Sequence, residues 1–330
     1  MTVGLLGGAG LDELFGGNHH LGEREGLAAM CAEQNGKVVV GFDGLDNSRE
    51  TVRWAAFEAV SRNQELLVVR AIPAPLEQLT RIRLPTESVE FEPLRTECEN
   101  EVNTMVSECG EELPELRVDT VMKLGHPAKI IGEVADRADL LVLGPPEQSQ
   151  PWRMLLGSTS AELVRTARPP VVVVRGERER ERIAADPRRF TRVVVGVDGS
   201  RGSERAIGFA YEFASRHQAE LVALLSWNEV RKYTTSPTAR RKLDWEQVRE
   251  TCERVLSESV VEWKEQYPDV SLHSEVVTTE GAADALFSAS EQADLLVVGS
   301  QGRGPIRSSL LGSVSHAVAH YARCPVAVVR

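Results

Sequence analysis

The chain has 330 residues, a formal net charge of −11 at pH 7 and 42% apolar residues. The length allows two domains that each bury a core, and the composition is that of a globular protein. The acidic balance excludes an extended basic surface for nucleic acid or an anionic membrane, yet backbone N–H groups can hold the phosphates of a small molecule without one.

Residues 1–36 carry glycine-rich patches and no clear periodicity, so a flexible N-terminal tail is expected there. A start at Met30 would leave a tail of ordinary length. The N-terminus lacks the basic and apolar regions of a signal peptide, and no apolar run approaches the ~18 residues that cross a bilayer. Cys31, Cys98, Cys109, Cys252 and Cys324 show no C-x-x-C spacing. Reduced thiols in a cytoplasmic protein are the expectation, with no disulfide framework and no zinc site.

From Lys37 onward the chain can be laid upon itself. Lys37-Val-Val-Val-Gly-Phe-Asp43-Gly44 matches Arg192-Val-Val-Val-Gly-Val-Asp198-Gly199, and Ala138-Asp-Leu-Leu-Val-Leu-Gly144 matches Ala293-Asp-Leu-Leu-Val-Val-Gly299. Leu155-Leu-Gly157-Ser158 matches Leu310-Leu-Gly312-Ser313, and Pro170–Arg175 matches Pro325–Arg330. All four pairs are offset by 155 positions. The chain is therefore a duplication, with halves at 37–175 and 191–330 joined by a charged linker at 176–190 that is expected to be exposed.

Each half alternates short β-branched runs with helical patterns, the mark of βαβ units. In the second half the spacing predicts strands near 192–197, 221–226, 272–277, 294–298 and 326–329. Helices are predicted near 202–217, 240–266, 282–291 and 312–322, the first capped by Ser200 or Ser203. The strands read as apolar throughout, as if covered on both faces. The expected fold is α/β: two tandem Rossmann-like or flavodoxin-like open parallel sheets of five strands, related by a pseudo-two-fold. The apolar runs Val171–Val174 and Val326–Val329 would be exposed edges if left alone, so they are expected to pair with each other.

The chemistry-bearing segment of the second half is Gly299-Ser-Gln301-Gly302-Arg-Gly304 followed by Gly312-Ser313-Val314-Ser315, a G-x2-G-x9-G-S pattern. Gly299 ends a strand where ligands of open α/β sheets bind, and Gly302 lets backbone approach a ribose or phosphate without a Cβ in the way. At the helix start, free N–H groups, the dipole and the Ser313 and Ser315 hydroxyls can meet anionic oxygens. Asp198 ends the first strand beside the same crevice. It is read as a hydrogen-bond partner of the nucleotide or an aid to a phosphate-borne cation, or else as the cap of its own turn.

Val194-Val-Gly196-Val-Asp198-Gly-Ser200, this loop and the ending Cys324-Pro-Val-Ala-Val-Val resemble the universal stress protein family, in its two-domain actinobacterial form, over about residues 37–330. For the ATP-binding branch the resemblance implies one ATP in each crevice. It carries Gly196 and Asp198 to the end of the first strand and Ser226 to the adenine side. It carries Val298, Gly299, Gln301 and Gly302 to the ribose and phosphate side, and Gly312, Ser313, Val314 and Ser315 to the phosphates. The first half keeps Asp43, Ala71, Gly144, Gly157 and Ser158 at family positions. Its loop reads Gly144-Pro145-Pro146-Glu147, which puts a carboxylate where Gly302 stands and removes two N–H donors, so a weaker site is expected there.

No G-x4-G-K-[ST] loop is present, and no nucleophile–base pair is visible. His316 and His320 are spaced like half a metal site but lack a third ligand. Mg is expected only through ATP phosphates. The expected function is an ATP-responsive stress regulator and not a turnover enzyme. The alternatives are a slow ATP-hydrolysing enzyme of the same fold and an interaction scaffold with a vestigial nucleotide site. A homodimer and an unidentified regulatory protein partner are allowed for; nucleic acid and membrane are not.

Overall fold

A computed structural model describes residues 36–72, 91–144, 156–175, 190–227, 245–277, 281–302 and 311–330. The first half runs β1 (Lys37–Phe42), α1 (Asp46–Ser61), β2 (Glu65–Ile72), α2 (Phe91–Glu112), β3 (Val118–Leu124), α3 (Pro127–Val134), β4 (Leu140–Leu143), α4 (Ser158–Thr166) and β5 (Val171–Val173). The second half repeats the order with β6 (Arg192–Gly196), α5 (Arg201–His217), β7 (Glu220–Ser226), α6 (Trp245–Gln266), β8 (Leu272–Val277), α7 (Ala282–Ser290), β9 (Leu295–Gly299), α8 (Ser313–Tyr321) and β10 (Val326–Val329). Of the two serines considered as cap for α5, Ser200 does the work: its Oγ accepts the Ser203 N–H at 3.2 Å.

Ten strands form one sheet in the order β3-β2-β1-β4-β5-β10-β9-β6-β7-β8. Within each half all pairings are parallel. The halves join through the antiparallel pair β5–β10, with Val173 opposite Val326, Val172 opposite Ala327 and Val171 opposite Val328. The expected mutual cover of the two terminal strands is thus observed, and the palindromic strand order places a pseudo-two-fold between them. Each face of the sheet carries a core that draws on both halves. Trp54, Met105, Phe213 and Leu256 lie on one face, and Ile131, Leu163, Leu286 and Val318 on the other.

Two expectations are corrected. The strands are not apolar throughout, because β3 and β8 are the outer edges of the sheet and their residues are only half-buried or exposed. Asp119 and Lys123 on one edge, and His273 and Glu275 on the other, blunt them against further pairing. Phe190, assigned from sequence to an exposed linker, is buried. Its ring meets Trp54 of the first half at 6.1 Å and Phe213 of the second at 4.9 Å, so the last linker residue is an apolar plug between the halves. Linker residues 176–189 and tail residues 1–35 lie outside the described residues. Among the described residues, no helix is long and apolar enough to cross a membrane.

Candidate functional site

The neighbours β6 and β9 send their chains to opposite sides of the sheet, β6 toward β7 and β9 toward β10. A crevice opens at such a switch point, beyond the carboxyl ends of the strands. Asp198 follows β6 by two residues. Its Oδ1 accepts the Ser200 N–H at 2.9 Å, which sets the turn into α5. Its other oxygen faces the β9 loop, and a Cβ built on Gly302 would lie 2.5 Å from Asp198 Oδ2. One oxygen of Asp198 thus caps its own turn and the other lies against the β9 loop.

The β9 loop is held from several sides. The Ser300 N–H donates to Val329 O at 2.6 Å and the Gly312 N–H to Ser300 O at 2.8 Å. Ser200 Oγ lies 3.5 Å from Gln301 O. The first turn of α5 packs so closely that a Cβ on Gly299 would sit 2.6 Å from the Gly202 carbonyl carbon, which explains glycine at the strand end. Gln301 and Gly302 remain exposed on the rim.

The helix that faces this loop is α8. Its N-cap is Gly312, and no side chain caps it. The first-turn amides, at Ser313, Val314 and Ser315, have no acceptor within the helix, and the dipole adds partial positive charge. Ser313 is exposed there. Ser315 is different: it is buried, and its Oγ donates to Gly299 O at 2.5 Å. Its hydroxyl therefore ties helix to strand end and is not presented to a ligand. The Gly312 N–H is likewise spent within the loop. Val298 is core, and Gly196 gives room to it and to Leu286, so any contact of Val298 with a ligand would be through the main chain. Ser226 ends β7, opposite Val277 of β8. The α8 start and the Asp198–Gly302 contact both lie on the β9 loop, whereas Ser226 sits one strand away.

The first half repeats the scaffold. Asp43 Oδ1 accepts the Leu45 N–H at 3.1 Å, as Asp198 does for Ser200. Ser160 Oγ donates to Gly144 O at 3.1 Å, as Ser315 does to Gly299. Gly157 starts α4 without a side-chain cap, ahead of Ser158, and Ala71 lies in β2 beside the end of β1. The rim differs. Arg70 stands where the second half has buried Leu225, and it pairs with Glu101 of α2 at 3.1 Å. A Cβ on Gly44 would collide with that carboxylate. An open cavity of about 750 Å³ adjoins it, between Arg49 of α1 and Thr96, Asn100 and Thr104 of α2. Pro145, Pro146 and Glu147 lie outside the described residues.

Sequence reasoning missed this Arg70–Glu101 pair, since neither residue belongs to a motif. It also missed the contact of His320 with Leu156 of the first half. The His316 and His320 rings lie 4.3 Å apart, tilted by 35°, and among the described residues no three His, Cys, Asp or Glu side chains could hold a metal ion together. Cys98, Cys109, Cys252 and Cys324 are buried.

The sequence model of the universal stress protein family matches twice, at residues 34–175 and 189–330. A universal stress protein of Mycobacterium tuberculosis is 36% identical over 294 residues, which cover 89% of this chain and 96% of the relative. One from Mycolicibacterium smegmatis is 36% identical over 300 residues, with the same coverage. The crystal structure of a universal stress protein from Archaeoglobus fulgidus superposes with a TM-score of 0.57 at 19% identity, covering 90% of this chain and 97% of that one, and so shares the fold.

Proposed function

The chain belongs to the universal stress protein family as a tandem of two such domains, and from this premise we propose that it binds ATP, mainly in its second half, as a nucleotide-responsive stress regulator. The observation that carries the reading is the contact of Asp198 with Gly302 beside the uncapped start of α8. A strand-end carboxylate, a loop with no side chain at the point of approach and a bare helix N-terminus are the parts that a polyphosphate ester needs. The amides of Ser313 and Val314 and the Ser313 hydroxyl would hold the phosphates. Val298, Gly299, Gln301 and Gly302 would line the ribose and phosphate side, with Gly196 and Asp198 at the end of β6 and Ser226 toward the base. Gly312 and Ser315 would act by shaping the loop. Mg would be carried by the phosphates.

The first half, with Asp43, Ala71, Gly144, Gly157 and Ser158, would bind more weakly. A regulator is favoured over a turnover enzyme because the sequence offers no nucleophile–base pair and no group to orient an attacking water. Occupancy would then be read out through contacts with a protein partner or a second copy of the chain.

Mass spectrometry of small molecules extracted from the purified full-length protein tests this reading, with ATP as the expected species. In a single-turnover experiment the bound ATP should be released unchanged. Conversion to ADP within minutes would make the chain an enzyme. No nucleotide in the preparation, and none bound on titration, would leave an interaction scaffold.

A further inference from the structure

His320 lies near the end of α8, in the second half, yet its ring reaches the first. The main-chain N–H of Leu156 donates to His320 Nδ1 at 3.4 Å. Leu156 is buried and immediately precedes Gly157, the N-cap of α4. Beyond β5, Arg175 Nη1 donates to the main-chain oxygen of His320 at 2.6 Å. That second contact has a near counterpart across the pseudo-two-fold, one residue along the helix, where Arg330 Nη2 donates to Val164 O at 3.1 Å. The imidazole contact has none. The residue equivalent to His320 in the first half is Arg165, which turns back on its own helix to Ala161 O. The nine residues of α8, about 13 Å at 1.5 Å per residue, thus connect the candidate phosphate end of the second half to the matching helix start of the first.

We propose that His320 is a pH-responsive strap between the two halves. Neutral, its Nδ1 accepts the Leu156 N–H and holds the entrance to α4. On taking a proton from solvent, Nδ1 becomes a donor facing a donor, and the strap is released. The surroundings favour the neutral form. Burial first, then His316 on the same helix and Arg175 from beyond β5, lower the His320 pKa from its usual 6.5. Among the described residues, Tyr321 is the other titratable ring beside it, at 5.9 Å, and Cys324 acts on Arg175 in turn. Leu156 brings only its amide to the contact. The strap is fastened at neutral pH and is released in acid, below 6.5. It goes beyond nucleotide binding, since it needs no ligand.

Amide hydrogen exchange of the full-length protein, without nucleotide, tests this between neutral and mildly acid pH after correction for the intrinsic exchange rate. Protection at Leu156 should fall by about fivefold on acidification, the loss of one ordinary hydrogen bond. The midpoint should coincide with that of the His320 ring, followed by NMR. In His320→Gln the side-chain oxygen accepts at every pH, so Leu156 protection should become independent of pH. Wild-type protection that does not change with pH, or the same fall in His320→Gln, overturns the proposal. If the variant does not fold, the wild-type comparison decides alone: midpoints that fail to coincide reject the strap.

Discussion

Glu58 of α1 and His217 of α5 meet across the two halves, Oε2 to Nε2 at 2.8 Å, with side chains 1% and 7% exposed. Arg62 and Arg216 reach the other carboxylate oxygen at 2.6 and 3.2 Å, and the His217 ring is flanked by Phe190 and Phe213. Burial alone would push the Glu58 pKa up. The His217 hydrogen bond and the charges of Arg62, His217 and Arg216 outweigh it and hold the pKa at about 2, below the ordinary 4.5. A depressed carboxylate pKa contributes stability that is present above the ordinary value and lost as pH falls toward the folded one. Glu58→Gln leaves three partly buried basic groups around a buried site without their carboxylate and should cost about 3 kcal/mol at pH 7. It should also flatten the loss of stability between about pH 4.5 and 2. Urea denaturation at pH 7 and across that acid window checks both; unchanged stability and an unchanged acid slope contradict them.

Tyr211 of α5 gives a change in the opposite direction. It is fully buried beside Trp263 and Tyr267, and its hydroxyl finds no hydrogen-bond partner among the described residues. Burial pushes its pKa up to about 12. Tyr211→Phe deletes an unsatisfied polar atom and keeps the ring, so stability should hold or rise by about 1–2 kcal/mol. A fall of that size in denaturant melts would show that the hydroxyl is bonded.

Much of the fold was legible because duplication let each half check the other. The strand runs and the pairing of Val171–Val173 with Val326–Val328 rest on local residue types whose geometry leaves few choices. Contacts that depend on distant parts of the chain were not legible. Nothing local marks Phe190 as an inter-half plug, because it ends a charged segment and is buried only by rings from both halves. The roles of Ser313 and Ser315 could not be separated by sequence either. Both are helix-start serines, and only the path of β9 beside α8 turns Ser315 inward onto Gly299. Arg70, in a strand, and Glu101, in a helix, carry no signal until the sheet places them together.

The contact between Asp198 and Gly302 makes opposite demands on the two residues. Gly302→Glu sets a side chain against Asp198 Oδ2 and a second carboxylate on the rim, whereas Asp198→Ala removes the first. Both should weaken Mg-ATP binding tenfold or more while the chain stays folded. Asp198→Ala also gives up the turn bond to the Ser200 N–H, at about 1 kcal/mol of stability. Calorimetric titration together with a thermal melt separates the two effects. Parental affinity in a folded Gly302→Glu protein would remove the β9 loop from the site.

Stoichiometry follows from the difference between the halves. Both helix starts are uncapped, but the second crevice adds Gly302 and apolar Leu225 behind it. The first has Glu147 and two prolines at the corresponding sequence positions, and the Arg70–Glu101 pair already sits over Gly44. A like-charge contact at ~4 Å costs about 1 kcal/mol in water and several times that in a partly buried cleft. Each charge-assisted hydrogen bond lost to proline adds about 1.5–3 kcal/mol. Even the smaller figures sum to more than the ~1.4 kcal/mol that makes a tenfold difference in affinity. Titration with Mg-ATP should therefore show one tight site per chain and a second that is at least tenfold weaker. Glu147→Gly should recover part of the second site, because Pro145 and Pro146 still lack their donors. Adding Glu101→Gln should recover more if the rim pair also excludes the ligand. Two equal sites in the parent protein would mean that Glu147 points to solvent and that the Arg70–Glu101 pair leaves the first crevice open.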